Sequence, residues 1–332
     1  MSRFSRRNFL RGLPLALGLA ALPARAQPAW PARPIRLIVP QAPGGTVDLV
    51  SRVVADRLEP VLGVAFIVEN KPGASGLIGV EAVKRAAPDG YTLLTASSNT
   101  HTMLPHLMDA LPYDPLRDFA PVVNFGYTTK MIVVSNAVEA TTLAELVSLA
   151  RERPGLLNYG SSGIGSSNHL DAEVFARAAG IRLVHVPYRG AAQALNAVTT
   201  GEVQMMLVSV TSGQSLVRAG RVRGLAVFGE QRAPQLPAVP TMTECGYPGL
   251  DVRTWVGFVV PAGTPAAIVD RLNREIIALL GSTVMREWLV IQGLEAAGGT
   301  PVEFASTLRA DYAKWGAVVG ELGLREAATV AK

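Results

Sequence analysis

Two hydrophobic rhythms alternate along the chain. Short apolar runs of strand type at 35–39, 66–69 and 91–96 are separated by stretches, 47–62 and 76–86, whose apolar positions recur at helical spacing. This predicts β-α-β-α-β, a parallel sheet with helices on its faces. An arm at 101–119, broken by three prolines, leads into a second series. There the pattern predicts strands at 131–135, 183–186, 203–208 and 222–228, and helices at 143–152 and 170–179. Between them, "PGLLNYGSSGIGSSNH" reads as a strand entering a Gly/Ser loop, and "PYRGAAQALNAVTTG" as a turn and helix. A Pro-rich stretch, "QRAPQLPAVPTMTE", precedes a strand at 255–260 and two long helices at 265–280 and 301–322.

Composition narrows the class. Of 332 residues, 49% are hydrophobic and 17% charged, which is enough for a sizeable core. The net charge is +5, but the basic residues are scattered apart from an N-terminal cluster and form no aromatic-interleaved stripe, so nucleic acid is not expected as a partner. The first 26 residues read as an export signal. "MSRFSRRNFLRG" carries paired arginines in a twin-arginine pattern, "LPLALGLAALPARA" is a short apolar segment, and Ala24-Arg25-Ala26 supplies a cleavage site. An uncleaved membrane anchor is the alternative. Cleavage near Ala26 would leave a periplasmic protein whose single cysteine, Cys245, rules out an intramolecular disulfide.

Three loops share one grammar of strand, small-residue turn and helix. They are Pro43-Gly44-Gly45-Thr46, the run Ser161-Ser162-Gly163-Ile164-Gly165-Ser166-Ser167, and Tyr188-Arg189-Gly190-Ala191. Such turns leave backbone N–H groups free at a helix start, where the dipole favours an anion. Each alone is equally an ordinary helix cap; three together suggest a shared anion cleft. Asp48 is a ligand residue or a loop brace, and Arg189 a clamp or a solvated turn residue. The enzymatic motifs are missing. "PGGTVD" lacks the Lys-Ser/Thr of a phosphate loop, "GSSGIGSSN" lacks the dinucleotide glycine spacing, and no Gly-x-Ser-x-Gly elbow occurs. His101, His106, His169 and His185 are isolated in sequence, so no metal site, cofactor or catalytic residue is expected. His169 stands out, as a donor to ligand or a neutral capping residue.

Several segments together, "RPIRLIVPQAPGGTVDLVSRVVADRL", "FIVENKPGASGLIGVEAVKRAAPDGYTLL", "LNYGSSGIGSSNHL", "HVPYRGAAQALNAVTTGEV" and "PAGTPAAIVDRLNREI", resemble the solute receptors of tripartite tricarboxylate transporters, the Bug family. The resemblance covers the whole chain after the signal. It implies an α/β fold of the two-lobed periplasmic binding protein type (type II-like), each lobe a mixed, mainly parallel sheet flanked by helices, with the ligand cleft between them. On this reading 1–26 is the signal, 27–124 plus 229–332 form lobe 1, and 125–228 form lobe 2, with crossings near 122–125 and 227–229.

The same resemblance implies a monomeric, non-catalytic receptor that closes over a small organic or aromatic carboxylate. It would deliver this to a membrane permease of one large and one small subunit. A ligand-presenting role toward a periplasmic sensor kinase is an alternative, and an enzyme using the same cleft a remoter one. The implied ligand residues are Gly44, Gly45, Thr46 and Asp48 after the first strand, and Ser97 and Ser98 after the third. In the second lobe they are Ser161, Ser162, Gly163, Ser166, Ser167 and His169, then Tyr188, Arg189, Gly190 and Ala191. Two positions depart from the family pattern. Gln41 stands where an aromatic is usual, and Val208 where an aspartate is frequent, which would disfavour a ligand carrying an ammonium group.

Overall fold

The structure, a computed structural model, describes residues 30–108, 110–229 and 231–323; the expected export signal lies outside the described residues. In chain order the first elements are β1 (Ile35–Val39), α1 (Thr46–Leu62), β2 (Phe66–Asn70), α2 (Leu77–Lys84), β3 (Thr92–Ser97), α3 (Leu104–Leu107), β4 (Phe119–Thr128) and β5 (Lys130–Ser135). Then come α4 (Leu143–Glu152), β6 (Asn158–Ser161), α5 (Ser167–Ala179), β7 (Val184–Pro187), α6 (Ala191–Thr200), β8 (Met205–Ser209), α7 (Val210–Arg218) and β9 (Val222–Phe228). The chain closes with β10 (Thr254–Pro261), α8 (Ala266–Leu280), α9 (Thr283–Ile291), β11 (Leu294–Gly298) and α10 (Pro301–Leu322).

These strands make two sheets. The first runs β11-β4-β10-β3-β1-β2 and the second β7-β6-β8-β5-β9. In the first, β2 and β3 lie parallel to β1, while β10 enters antiparallel between β3 and β4. In the second, β7 and β8 lie parallel to β6, and β5 runs antiparallel to both β8 and β9. Both sheets are mixed and flanked by helices, giving two lobes. Each lobe has its own apolar interior, one around Leu37, Leu58, Phe125 and Phe258, another around Ile132, Tyr159, Phe175 and Phe228. No helix among the described residues is long and apolar enough to cross a membrane.

Helix α1 shows how pattern becomes packing. Val47, Val50, Val54, Leu58 and Leu62 fall on one stripe and are all buried in the first lobe's core. Each such side chain contributes about 1.5–3 kcal/mol through burial. Buried Ser51 donates to the Val47 carbonyl at 2.6 Å and meets Thr95 of β3 at 2.7 Å, fixing the helix to the sheet. The helix stops at Gly63, whose left-handed backbone (φ 72°) lets its N–H reach the Glu59 carbonyl.

The chain passes between lobes twice. β4 stays in the first sheet as far as Thr128, and Lys130 already opens the second, so Thr129 alone separates them. This lies beyond the crossing expected at 122–125. On the return, Ala233, Leu236 and Val239 pack against Met131 and Val227, and Met242 and Val252 against Phe228. The Pro-rich stretch therefore stays on the second lobe, and the chain re-enters the first sheet at Thr254 rather than near 229.

Candidate functional site

Sheet topology alone marks a candidate site. β1 lies between β2 and β3, and β6 between β7 and β8, so the connections leave the central strand in opposite directions. Such switch points open a crevice outside the carboxyl ends of the strands, where ligands settle in α/β sheets. In the first lobe the β1/β3 crevice receives the Gly44-Gly45-Thr46 turn and Ser97. In the second, the β6/β8 crevice receives the 161–167 loop and Ser209. The two crevices meet: Thr46 Oγ1 stands 3.5 Å from Ser209 Oγ across the lobes.

The start of α1 is built as a donor. Its N-cap, Gly45, has no side chain to satisfy the first turn, and the first intrahelical bond is Leu49 N–H to the Gly45 carbonyl at 3.0 Å. Gly44 takes φ 86°, a left-handed conformation that exposes this turn. Asp48 is only 2% exposed and points inward. It accepts from the Gly44 N–H at 2.9 Å, from Arg52 Nε at 3.1 Å and from Asn70 Nδ2 at 2.8 Å. Burial pushes its pKa up, but the bonds from Arg52, Gly44 and Asn70 outweigh that and hold it below the usual carboxylate range. Asp48 is therefore a brace, and the negative charge it brings is already spent. Gln41 gives its carbonyl to Asn70 at 3.0 Å, while its amide oxygen sits beside Gly45, where a Cβ would be 3.8 Å away.

Beneath this turn lies Ser97, 4% exposed, whose Oγ has no hydrogen-bond partner among the described residues. Strand alternation puts it on the same face as Thr95, which contacts α1, so it points toward the first turn of α1. Ser98 is different: its Oγ accepts the Trp255 N–H at 3.0 Å and serves the sheet. Next, Asn99 donates to the Ser75 carbonyl at 3.1 Å, linking β3 to a loop in which Ala74 and Ser75 hold φ of 45° and 55°. Two adjacent non-glycine residues in that region store strain of the kind found at functional loops. Asn99–Met103 forms a π-helical turn, also frequent at such places, where the sequence suggested a plain connecting arm.

In the second lobe most of the expected polar groups hold the loop together. Ser161 Oγ donates to the Gly163 carbonyl at 3.0 Å and lies 2.6 Å from His185 Nε2. Ser162 donates to Asn168 Oδ1 at 2.9 Å, and Asn168 in turn to the Leu207 carbonyl. Ser166 caps α5 through the His169 N–H. His169, 6% exposed, accepts the Gly165 N–H on Nδ1 at 3.1 Å, so it supports the loop rather than offering a donor at this atom. His169 stacks on His185 at 4.1 Å, and His185 on Tyr159 at 4.9 Å. Ser167 is partly exposed and receives the Lys130 ammonium at 3.2 Å. The same ammonium pairs with buried Asp171 at 3.0 Å. Burial pushes the Asp171 carboxyl up to about 6, although Lys130 pulls it back.

The 188–191 loop follows β7, the outer strand, and so lies off the switch point. Tyr188 donates its hydroxyl to Glu202 at 2.8 Å, and Arg189 is exposed with its N–H on Gln193. Gly190 and Ala191 still form a helix start without a side-chain cap. Val208 is 1% exposed in the core with Met131 and Val133, because β8 alternates and turns it away from the cleft. The expected selectivity role for this side chain is therefore not supported by its position. Ser209, one residue on, faces the site and was not among the expected residues. A strand ending in Ser before a helix, "LVSVTSG", was the available signal. No group of three or more His, Cys, Asp or Glu that could hold a metal occurs among the described residues.

The histidine stack makes the second-lobe loop acid-sensitive. Burial lowers both imidazoles below their ordinary 6.5, His185 to about 4, with His169 adding to the effect and Glu173 opposing it. Between those values the unfolded chain binds more protons, so this stabilisation is full above about pH 6.5 and is lost as pH falls toward about 4. Asp171, shifted upward, contributes with the opposite sign between about 6 and its ordinary 3.8. The expected result is that His185→Gln flattens the fall of melting temperature from pH 7 to 4.5 relative to the unsubstituted chain. Parallel curves would show that the stack does not titrate.

The sequence model of the tripartite tricarboxylate transporter family receptor matches residues 50–324. The chain belongs to this family. Protein BugT of Bordetella pertussis is 33% identical over 315 residues, covering 95% of this chain and 96% of the relative. The solved structure of Rhodopseudomonas palustris Rpa4515 with adipate superposes with a TM-score of 0.84 at 35% identity, covering 89% of this chain and 98% of the other. MatC from the same organism, solved with bound malate, gives 0.79 at 30% identity, covering 87% and 99%. The two-lobed fold is that of the periplasmic binding proteins of this family.

Proposed function

We propose that the chain is an exported, non-catalytic receptor that closes its lobes over a small carboxylate and hands it to a tripartite tricarboxylate-type permease. The observation that carries this reading is the uncapped start of α1, with Ser97, whose hydroxyl has no partner among the described residues, beneath it and Thr46 reaching Ser209 of the other lobe. Backbone N–H groups and hydroxyls can satisfy a carboxylate there without a bound cation. A ligand touching Thr46 and Ser209 together gains contacts only when the lobes approach, which is the differential affinity that closure requires. The relatives solved with adipate and malate favour this ligand class. As a working division we take 30–128 with 254–323 as the described part of lobe 1, and 130–252 as lobe 2.

The test is a thermal-shift screen of mono-, di- and tricarboxylates, aromatic acids and acidic amino acids. A ligand at a hundred times its Kd stabilises by about 2.7 kcal/mol, a rise of roughly 5 °C for a protein of this size. At least one acid is expected to reach this, and substitution of Thr46 or Ser209 by Ala to reduce it. A flat response to every acid would overturn the reading.

A further inference from the structure

The ion pair between Lys130 and Asp171 lies at the seam of the candidate site and is more than a core contact. Their side chains are 5% and 0% exposed. Lys130 opens β5 directly after the crossing and is registered against Ser209 of β8. Asp171 sits on α5, four residues after Ser167. An ammonium only donates, so in its 3.2 Å contact with Ser167 the hydroxyl oxygen must accept. The Ser167 hydrogen is thereby released from the protein: Ser167 Oγ makes no other hydrogen bond among the described residues. A charged donor behind a hydroxyl also polarises it as a donor in its turn. Asp171 holds the ammonium by Oδ2 alone, and its Oδ1 has no partner among the described residues. A buried pair bonded so incompletely adds little stability by itself. Lys314 and Asp251, on neighbouring segments, act on Asp171 with opposite signs.

We propose that Lys130 is a specificity-determining residue of the site. Its ammonium, relayed through the Ser167 hydroxyl, sets the second-lobe side of the cleft to prefer an anion, and Asp171 tempers that preference. This rests on the carboxylate reading given above. The two members of the pair should then affect anion binding in opposite directions, whereas a pair serving only to hold the fold would make both losses act alike.

The experiment is calorimetric titration of adipate and malate, each beside its neutral diamide, into four proteins: the unsubstituted chain, Lys130→Met, Asp171→Asn, and the pair variant Lys130→Met with Asp171→Leu. One charge acting over a single relay at an effective dielectric near 20 is worth about tenfold in affinity. Lys130→Met is expected to weaken the diacid about tenfold and leave the diamide little changed. Asp171→Asn is expected to tighten the diacid several-fold. The pair variant, which leaves no buried charge and so stays folded, should match Lys130→Met in its loss of preference for acid over amide. Changes of equal sign in the two single variants, or an unaltered acid-to-amide ratio in the pair variant, overturn the inference alone. An unsubstituted chain that binds neither these diacids nor any acid of the screen overturns the carboxylate reading and this inference with it.

Discussion

A Gly257→Val variant is expected to lose at least about 3 kcal/mol of stability, measured as a drop in the urea midpoint at unchanged slope. Gly257 lies in the middle of β10, where the strand is clasped between β3 and β4 and the register shifts at the Val256/Gly257 step. A Cβ there would stand 2.3 Å from the Val123 carbonyl oxygen and 2.7 Å from the Phe304 ring. The first neighbour is backbone, so no rotamer change relieves it and the sheet itself must move. Gly320, in an ordinary helical position of α10, has nothing within 4 Å of such a carbon. Gly320→Ala should therefore be neutral or gain up to about 1 kcal/mol from reduced chain entropy. Equal effects at the two positions would show that close approach is not what β10 requires.

Trp315→Ala is expected to cost about 3–5 kcal/mol and to divide a single melting transition into two. Trp315 is 1% exposed on α10 of the first lobe, packed with Met103, Leu107 and Val319, and with Leu170 of α5 from the second lobe. Its indole N–H has no partner among the described residues, so apart from the Lys314 ammonium 5.5 Å over its ring the loss falls on packing. Because this small cluster is shared between lobes, emptying it removes coupling as well as burial. Phe175→Ala, a fully buried truncation inside the second lobe, should lower stability by a similar amount without the same separation. Differential scanning calorimetry distinguishes the two; one sharp transition in the Trp315 variant would show that the lobes are tied elsewhere.

Periodicity carries a long way in this chain, and the places where it stops have physical causes. Helices α4 and α10 and strands β1 and β9 fall where the hydrophobic pattern puts them, the helices with a buried stripe and the strands with mostly buried residues. The edge strand β11, Leu294–Gly298, escapes because it is mostly exposed and built from Ala, Glu and Gly, with little alternation to read. Helix α7 escapes for the opposite reason. "VTSGQSLVR" is poor in helix formers, and it holds because Gly213 lets the helix approach Met131 and Val208 closely. At the site, the turn after β1 and the serines after β6 stand out in the sequence as small residues between a strand and a helix. Which hydroxyls stay free to meet a ligand is decided by tertiary partners. Ser98, Ser161 and Ser162 have theirs in the protein, while Ser97 does not. No residue type announces that difference.

The antiparallel insertion of β10 between β3 and β4 also sets an order of assembly. All five strands of the second sheet come from one uninterrupted stretch, residues 130–228, whereas the first sheet needs residues 254–261 to join strands made long before. A chain emerging from its N-terminus therefore has the complete second lobe available while the first still presents β3 and β4 as unpaired edges. Such edges are the hydrogen-bonding surfaces on which strands from other chains add. The lobe that begins the sequence is thus the last that can close, and until β10 arrives it is the part of the newborn chain most in need of protection.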